Sequence, residues 1–226
     1  MKDIPLNNEE FMDILSDATE LILSDRIREA AREEQKKRKL DREWFVGEEY
    51  MHQIIRKERM HEGYPEASDG IPICPNQPKE KDNAAIIGNV GTELSSKALE
   101  IDKRIQSFIG TRNNALFMVY PPGGFIGWHN NANASGFNVL LTWSETGEGY
   151  WQHIDPDTKE LITIPDVKGW QCKAGYYGRY DEANKVLYHC AATDCWRMTI
   201  AFVFNAEESG MQMAEMALED ISTSYK

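Results

Sequence analysis

The chain of 226 residues is poor in the features that would make its class obvious. Four cysteines are too few to staple it, so a disulfide-built mini-protein is excluded. No long apolar run exists: Met198–Phe204, interrupted by Thr199, is strand-sized and far short of the ~20 residues a spanning helix needs. The start, Met1-Lys2-Asp3-Ile4-Pro5, lacks the apolar stretch of a secretory signal. The expectation is therefore a cytoplasmic, reducing location with no membrane contact. Cys74, Cys172, Cys190 and Cys195 are then expected as free thiols. Basic charge is also scarce: 25 Lys and Arg face 37 Asp and Glu, a net charge of −12. Such a field repels phosphate backbones and argues against nucleic-acid partners. The one basic run, Lys36–Lys39 with Arg32 and Arg42 near it, is flanked by acids and reads as a solvated helix face. No phosphate loop, no Gly-x-Ser-x-Gly elbow, no internal repeat and no low-complexity tract is present.

What is present falls into three parts: a helical N-terminal extension, 1–61; a Pro/Gly-rich connecting loop, 62–91; and a β-rich domain, 92–226. In the first, Asn8 can cap a helix that places Phe11, Leu15, Ala18 and Ile22 on one face. A charged helix follows to about Leu40, then another from about Arg42 to Met60. These early helices could pack on the rest of the chain or on a second copy of it. The segment 62–91 holds Pro65, Pro72, Pro75 and Pro78, and reads as a linker or as a flap over a site. Thr92 then caps a helix with Leu94, Ala98, Ile101, Ile105 and Phe108 on one face, and Gly110 ends it.

From Leu116 onward the pattern is of strands: 116–120, 137–143, 149–154, 161–164, 171–177, 185–190 and 196–204. Turn residues separate them. Many short strands at near-regular spacing predict an antiparallel sandwich, jelly roll or barrel, with helices packed outside. A last helix begins near Glu207, with Met211, Ala214, Leu218 and Ile221 on one side.

Five histidines carry the chemistry to be weighed. His52 and His61 read as solvated helix residues, and His153, beside Trp151, as a packed or edge strand residue. His129 and His189 remain. His129 ends the run Tyr120-Pro121-Pro122-Gly123-Gly124-Phe125-Ile126-Gly127-Trp128, and Asn131 follows two residues later. Eight residues after His189 comes Arg197, then Thr199. Strand parity puts Trp196, Met198, Ile200, Phe202 and Phe204 on one face, and Arg197, Thr199 and Ala201 on the other. An inward-facing Arg needs an anionic partner, because a buried unpaired guanidinium costs several kcal/mol. An internal Asp or Glu would serve, as would the carboxylate of a bound molecule.

These segments together resemble the iron(II)/2-oxoglutarate-dependent dioxygenases over about 115–205. That family has His-x-Asp/Glu…His as its metal triad and Arg-x-Ser/Thr as its cosubstrate clamp, with a Tyr-x-x-Gly lead-in among its prolyl-hydroxylase-like members. The resemblance implies an α+β protein: a double-stranded β-helix, or jelly roll, flanked by helices. It implies Fe(II) and 2-oxoglutarate as cofactors, and His129, Asn131 and His189 at the metal. Arg197 and Thr199 would hold the distal carboxylate of 2-oxoglutarate, with Tyr120 adding a phenolic hydrogen bond. The implied activity is hydroxylation of a small molecule or protein side chain, coupled to decarboxylation of 2-oxoglutarate to succinate. The departure is Asn131, where the family has a carboxylate. Asn131 could ligate through its amide oxygen, leave a two-histidine site, or mark a site without catalysis. Asn133 shares its parity and offers another oxygen, and a catalytically degenerate binding or structural jelly roll is the alternative reading. Structural zinc lacks a four-ligand set. A Cys190–His189 nucleophile pair is disfavoured because adjacent strand residues face apart. The strand tryptophans read as core rather than as a sugar site.

Overall fold

The computed structural model describes residues 1–59, 65–75, 83–111, 114–131, 135–179, 181–182 and 184–224. Its elements in chain order are β1 (Lys2–Ile4), α1 (Glu9–Leu23), α2 (Asp25–Arg38), α3 (Arg42–Phe45), α4 (Glu48–Ile55), β2 (Ile71–Pro72), α5 (Asn83–Val90), α6 (Thr92–Ile109), β3 (Asn114–Tyr120), β4 (Phe125–His129), β5 (Gly136–Ser144), β6 (Gly149–Ile154), β7 (Leu161–Pro165), β8 (Gly169–Tyr177), β9 (His189–Thr193), β10 (Arg197–Phe204) and α7 (Glu208–Ser222). Two antiparallel sheets result. One has the order β1-β8-β5-β10-β3-β2, the other β4-β9-β6-β7. Strands that alternate between two facing sheets make a double-stranded β-helix, or jelly roll, one of the architectures the strand spacing predicts.

Local signals explain the helices. Asn8 Oδ1 accepts the Phe11 N–H at 3.0 Å, a side-chain cap on the first turn of α1. The helix then buries Phe11, Ile14, Leu15, Ala18, Leu21 and Ile22. Gly110 takes a left-handed backbone (φ 71°) and stops α6, because a side chain there would be strained. At the other end the expected Thr92 cap is not found: Gly91 is the cap and Thr92 the first helical residue, with no side-chain cap bond.

The sequence pattern misses some boundaries. The stretch expected to run from Arg42 to about Met60 is broken into α3 and α4 by the extended backbone of Gly47 (φ −74°, ψ 162°), where a Cβ would lie 2.6 Å from the Glu43 carbonyl oxygen. The segment expected to be irregular contains α5 and the two-residue β2. Residues 185–188 are not strand; β9 starts at His189 and runs to Thr193. β1 and β4 were not among the expected strands, being a three-residue edge and a five-residue run that starts straight after Pro121-Pro122-Gly123-Gly124.

The helices cover one face of the larger sheet. Phe117, Val119, Val139, Leu141, Met198, Ile200 and Phe202 share one core with Phe11, Leu15, Ile22, Ala98, Ile105, Ala214 and Ile221. The apolar face of β10 thus packs outward against helices, and its other face, with Arg197 and Thr199, looks into the space between the sheets. The outer face of the smaller sheet is covered by α3 and α4: Trp128 and Cys190 pack with Tyr50, Met51 and Ile54. Inside, Trp151, Ala191, Ile126 and Ile164 of the smaller sheet meet Tyr177 and Leu140 of the larger one. All four cysteines are buried free thiols. Among the described residues no helix is long and apolar enough to cross a membrane.

Candidate metal centre in the barrel interior

The interior is layered along the strands. At one end lies a row of histidines. β4 and β9 pair antiparallel, with His129 opposite His189. Directly paired antiparallel residues point to the same face, so both rings enter the interior. An extra residue in β4 between Ile126 and His129 makes this possible. The bulge lets Trp128 face outward, where its Nε1–H donates to the Val46 carbonyl at 2.9 Å, while Ile126 and His129 both face in.

The two rings lie with centroids 4.1 Å apart at 50°. His129 Nδ1 is 2.8 Å from the Gly127 carbonyl oxygen, and His189 Nδ1 is 3.1 Å from that of Leu187. A carbonyl can only accept, so each Nδ1 carries the hydrogen and each neutral ring keeps its Nε2 lone pair. A carbonyl that accepts from the far ring nitrogen in this way is how metal-binding imidazoles are oriented. Burial holds both rings neutral. It pushes the His129 pKa down to about 4, against the carbonyls of Gly127 and His189, and holds His189 well below the usual range, with the neighbouring His129 adding to the effect. Neutral, oriented imidazole is the form that ligates a metal.

Asn131 lies just past the end of β4 and is half-buried; Asn133 lies outside the described residues. His52 is on the exposed α4 surface beside Glu48, as its helix position implies, and His61 lies outside the described residues. Cys190 points away from His189 into the outer cluster, as strand parity requires. As the side chains lie, no three His, Cys, Asp or Glu residues among those described are gathered around one point.

At the opposite end lies a charged layer. Arg197 pairs across the sheet with Tyr120 and Ser144. Its anionic partner is internal: Nε donates to Asp166 Oδ2 at 2.8 Å, and both side chains are nearly inaccessible. Arg197 Nη1 donates to Thr199 Oγ1 at 2.8 Å. Gln171 Nε2 donates to Asp166 Oδ1 at 2.8 Å, and Gln171 Oε1 accepts from Lys173 Nζ at 3.1 Å. Gly149 makes room for this pair, since a Cβ there would meet Asp166 Oδ2 at 2.6 Å and Thr193 Oγ1 at 3.1 Å. Tyr120 is fully buried, with the Arg197 guanidinium 6.0 Å from its ring centre. Burial raises its hydroxyl to about 12, against the lowering effects of Arg197 and Ser68, so it is a neutral donor.

Thr193 therefore stands beside the Asp166–Arg197 pair, and His189 is four residues away along the same strand, about 13 Å. The structure brings His129 and His189 together, and Arg197, Thr199 and Tyr120 together, as two layers of one interior. One partner was not singled out in the sequence: Asp166, the internal carboxylate, legible only as one of many acids near turns.

No protein-family model matches this chain, and no curated protein matches it. Solved structures that are similar over part of it include a Drosophila melanogaster CENP-C domain bound to CAL1, at TM-score 0.27 and 9 % identity, covering 38 % of this chain and 56 % of that one. A cupin domain from Bordetella pertussis has TM-score 0.25 and 16 % identity, covering 40 % and 78 %. A Pseudomonas putida prolyl-4-hydroxylase has TM-score 0.29 and 13 % identity, covering 52 % and 68 %. The chain thus spans only about half the length of the first of these.

Proposed function

We propose that this protein is an oxygenase-like jelly roll that binds iron(II) through His129 and His189. The observation that carries the reading is the facing histidine pair: buried, neutral, and each anchored at Nδ1 by a backbone carbonyl. Imidazole suits Fe(II), and two protein ligands leave several positions open for exogenous ones. Bound there, iron would supply oxygen chemistry. The chain's own work is to orient the rings, to keep them unprotonated, and to exclude water with Trp151, Tyr177 and Ile126. Asn131, at the end of β4, is the nearest sequence candidate for a further oxygen donor. The substrate is a small molecule or a protein side chain that reaches the histidine end.

The residues do not fit 2-oxoglutarate as they stand. The Arg197 Nε–H that would bind its distal carboxylate already donates to Asp166. Arg197, Thr199 and Tyr120 act as its clamp only if Asp166 moves aside. This ion pair favours the second reading, a jelly roll that binds a metal or ligand without turning over 2-oxoglutarate. The test is to titrate anaerobic, metal-free protein with Fe(II) and 2-oxoglutarate. A visible charge-transfer band that weakens in Arg197→Ala supports the oxygenase. Iron binding without a band supports the second reading, and failure to bind iron rejects both.

A further inference from the structure

His153 is the buried group that nothing above uses. It lies on β6 directly opposite His189 of β9, which lies directly opposite His129 of β4. Three histidines therefore form one row across three adjacent strands, all facing the interior. His153 is 3 % exposed, and its Nδ1 is one of only two buried side-chain nitrogens or oxygens without a partner among the described residues. The other belongs to Arg42, whose guanidinium is satisfied elsewhere by Asp194. An unpartnered buried polar atom is costly, about 1–3 kcal/mol, and such exceptions call for an explanation. The ring instead stacks on Trp151, with centroids 4.5 Å apart at 28°. Trp151 in turn is 5.9 Å from His189.

We infer that His153 is the third protein ligand of the metal centre, in place of the carboxylate that Asn131 lacks. The inference rests on the reading that His129 and His189 bind a metal. The three rings are not gathered on one point as they lie, so His153 must turn off Trp151 toward His189 when the ion enters. The central His189 is in register with both neighbours, so all three rings project from one face into the same space. Loss of the orphaned nitrogen on turning favours the motion. Three imidazoles are a neutral donor set, so the ion keeps its full positive charge and its open positions favour an anionic exogenous ligand.

The test uses Co(II) as the probe on the full chain. Affinity is measured by calorimetry, and the imidazoles on the bound ion are counted by X-ray absorption. The parent is expected to bind one ion with three imidazoles. His153→Phe, which keeps an aromatic ring on Trp151, is expected to bind at least tenfold more weakly with two, while His52→Ala, on the exposed surface of α4, binds like the parent. If His153→Phe binds like the parent, and the parent shows two imidazoles, the inference is overturned and the His129–His189 reading stands. If the parent binds no ion, both fall. Should His153→Phe fail to fold, the imidazole count on the parent alone decides.

Discussion

Removing the carboxylate of Asp166 tests how the charged layer is built. In Asp166→Ala the guanidinium of Arg197 stays buried, because its side chain is only 4 % accessible, but loses its one anionic contact. Breaking a buried pair from one side costs about 3–5 kcal/mol, since the remaining charge is stranded. Gln171 also loses the acceptor of its amide N–H. At about 2–4 °C per kcal/mol for a chain of this size, Tm should fall by about 6–20 °C. The stranded guanidinium, with Thr199 beside it, is then a carboxylate site. A small dicarboxylate such as 2-oxoglutarate, at a concentration about 100 times its Kd, would return about 2.7 kcal/mol. Thermal melts of parent and variant, with 2-oxoglutarate and with its neutral diester, read both effects. The expected pattern is a large drop, partly restored by the diacid alone, with no response in the parent. A variant that melts like the parent, or that responds equally to the diester, would refute the reasoning.

Other perturbations follow from the same structure. Asp69 is buried, and burial raises its pKa against the opposing effects of Gln35 and Arg38. Its folded form then binds a proton over a window where the unfolded chain has released it, so stability declines as pH rises through that window. Asp69→Asn removes the decline: melts should show the variant gaining on the parent as pH rises above the ordinary carboxylate value of about 4, and a loss at neutral pH would contradict this. Asn8→Ala removes the side-chain cap of α1 and the donor to the Asp220 carbonyl, and should cost about 1–2 kcal/mol in denaturant unfolding. Gly110→Ala forces a side chain into the left-handed end of α6 and should cost about 1–2 kcal/mol by the same assay.

How much of this was legible in the sequence depends on the element. The inward face of β10 was readable because strand parity is local: Trp196, Met198, Ile200 and Phe202 alternate with Arg197 and Thr199 without interruption. The Asn8 cap and the Gly110 stop were readable because each is a single residue with a strong backbone preference. Strand spacing left a sandwich, a jelly roll or a barrel open, and the family resemblance selected the jelly roll. The pairing of His129 with His189 was suggested by family resemblance, but its register depends on a bulge in β4 that no local pattern announces. His153 was set aside as a packed strand residue because its alignment with His189 is set by which strands neighbour one another, a tertiary fact. The need of Arg197 for an anion was legible from its parity and burial. That Asp166 supplies it was not, since the contact spans 31 residues and two different sheets. Boundaries at 185–188 and inside 62–91 were misread because apolar, β-branched or proline-rich composition there is overridden by packing.

The most direct test of the account is whether the facing histidines hold a metal ion. Anaerobic calorimetry of Fe(II) into metal-free parent, His129→Ala and His189→Ala proteins, with circular dichroism confirming that each is folded, measures this. The account predicts one ion per parent chain and loss of that binding in each variant. No binding by the parent, or binding that survives in folded His129→Ala and His189→Ala, would contradict it.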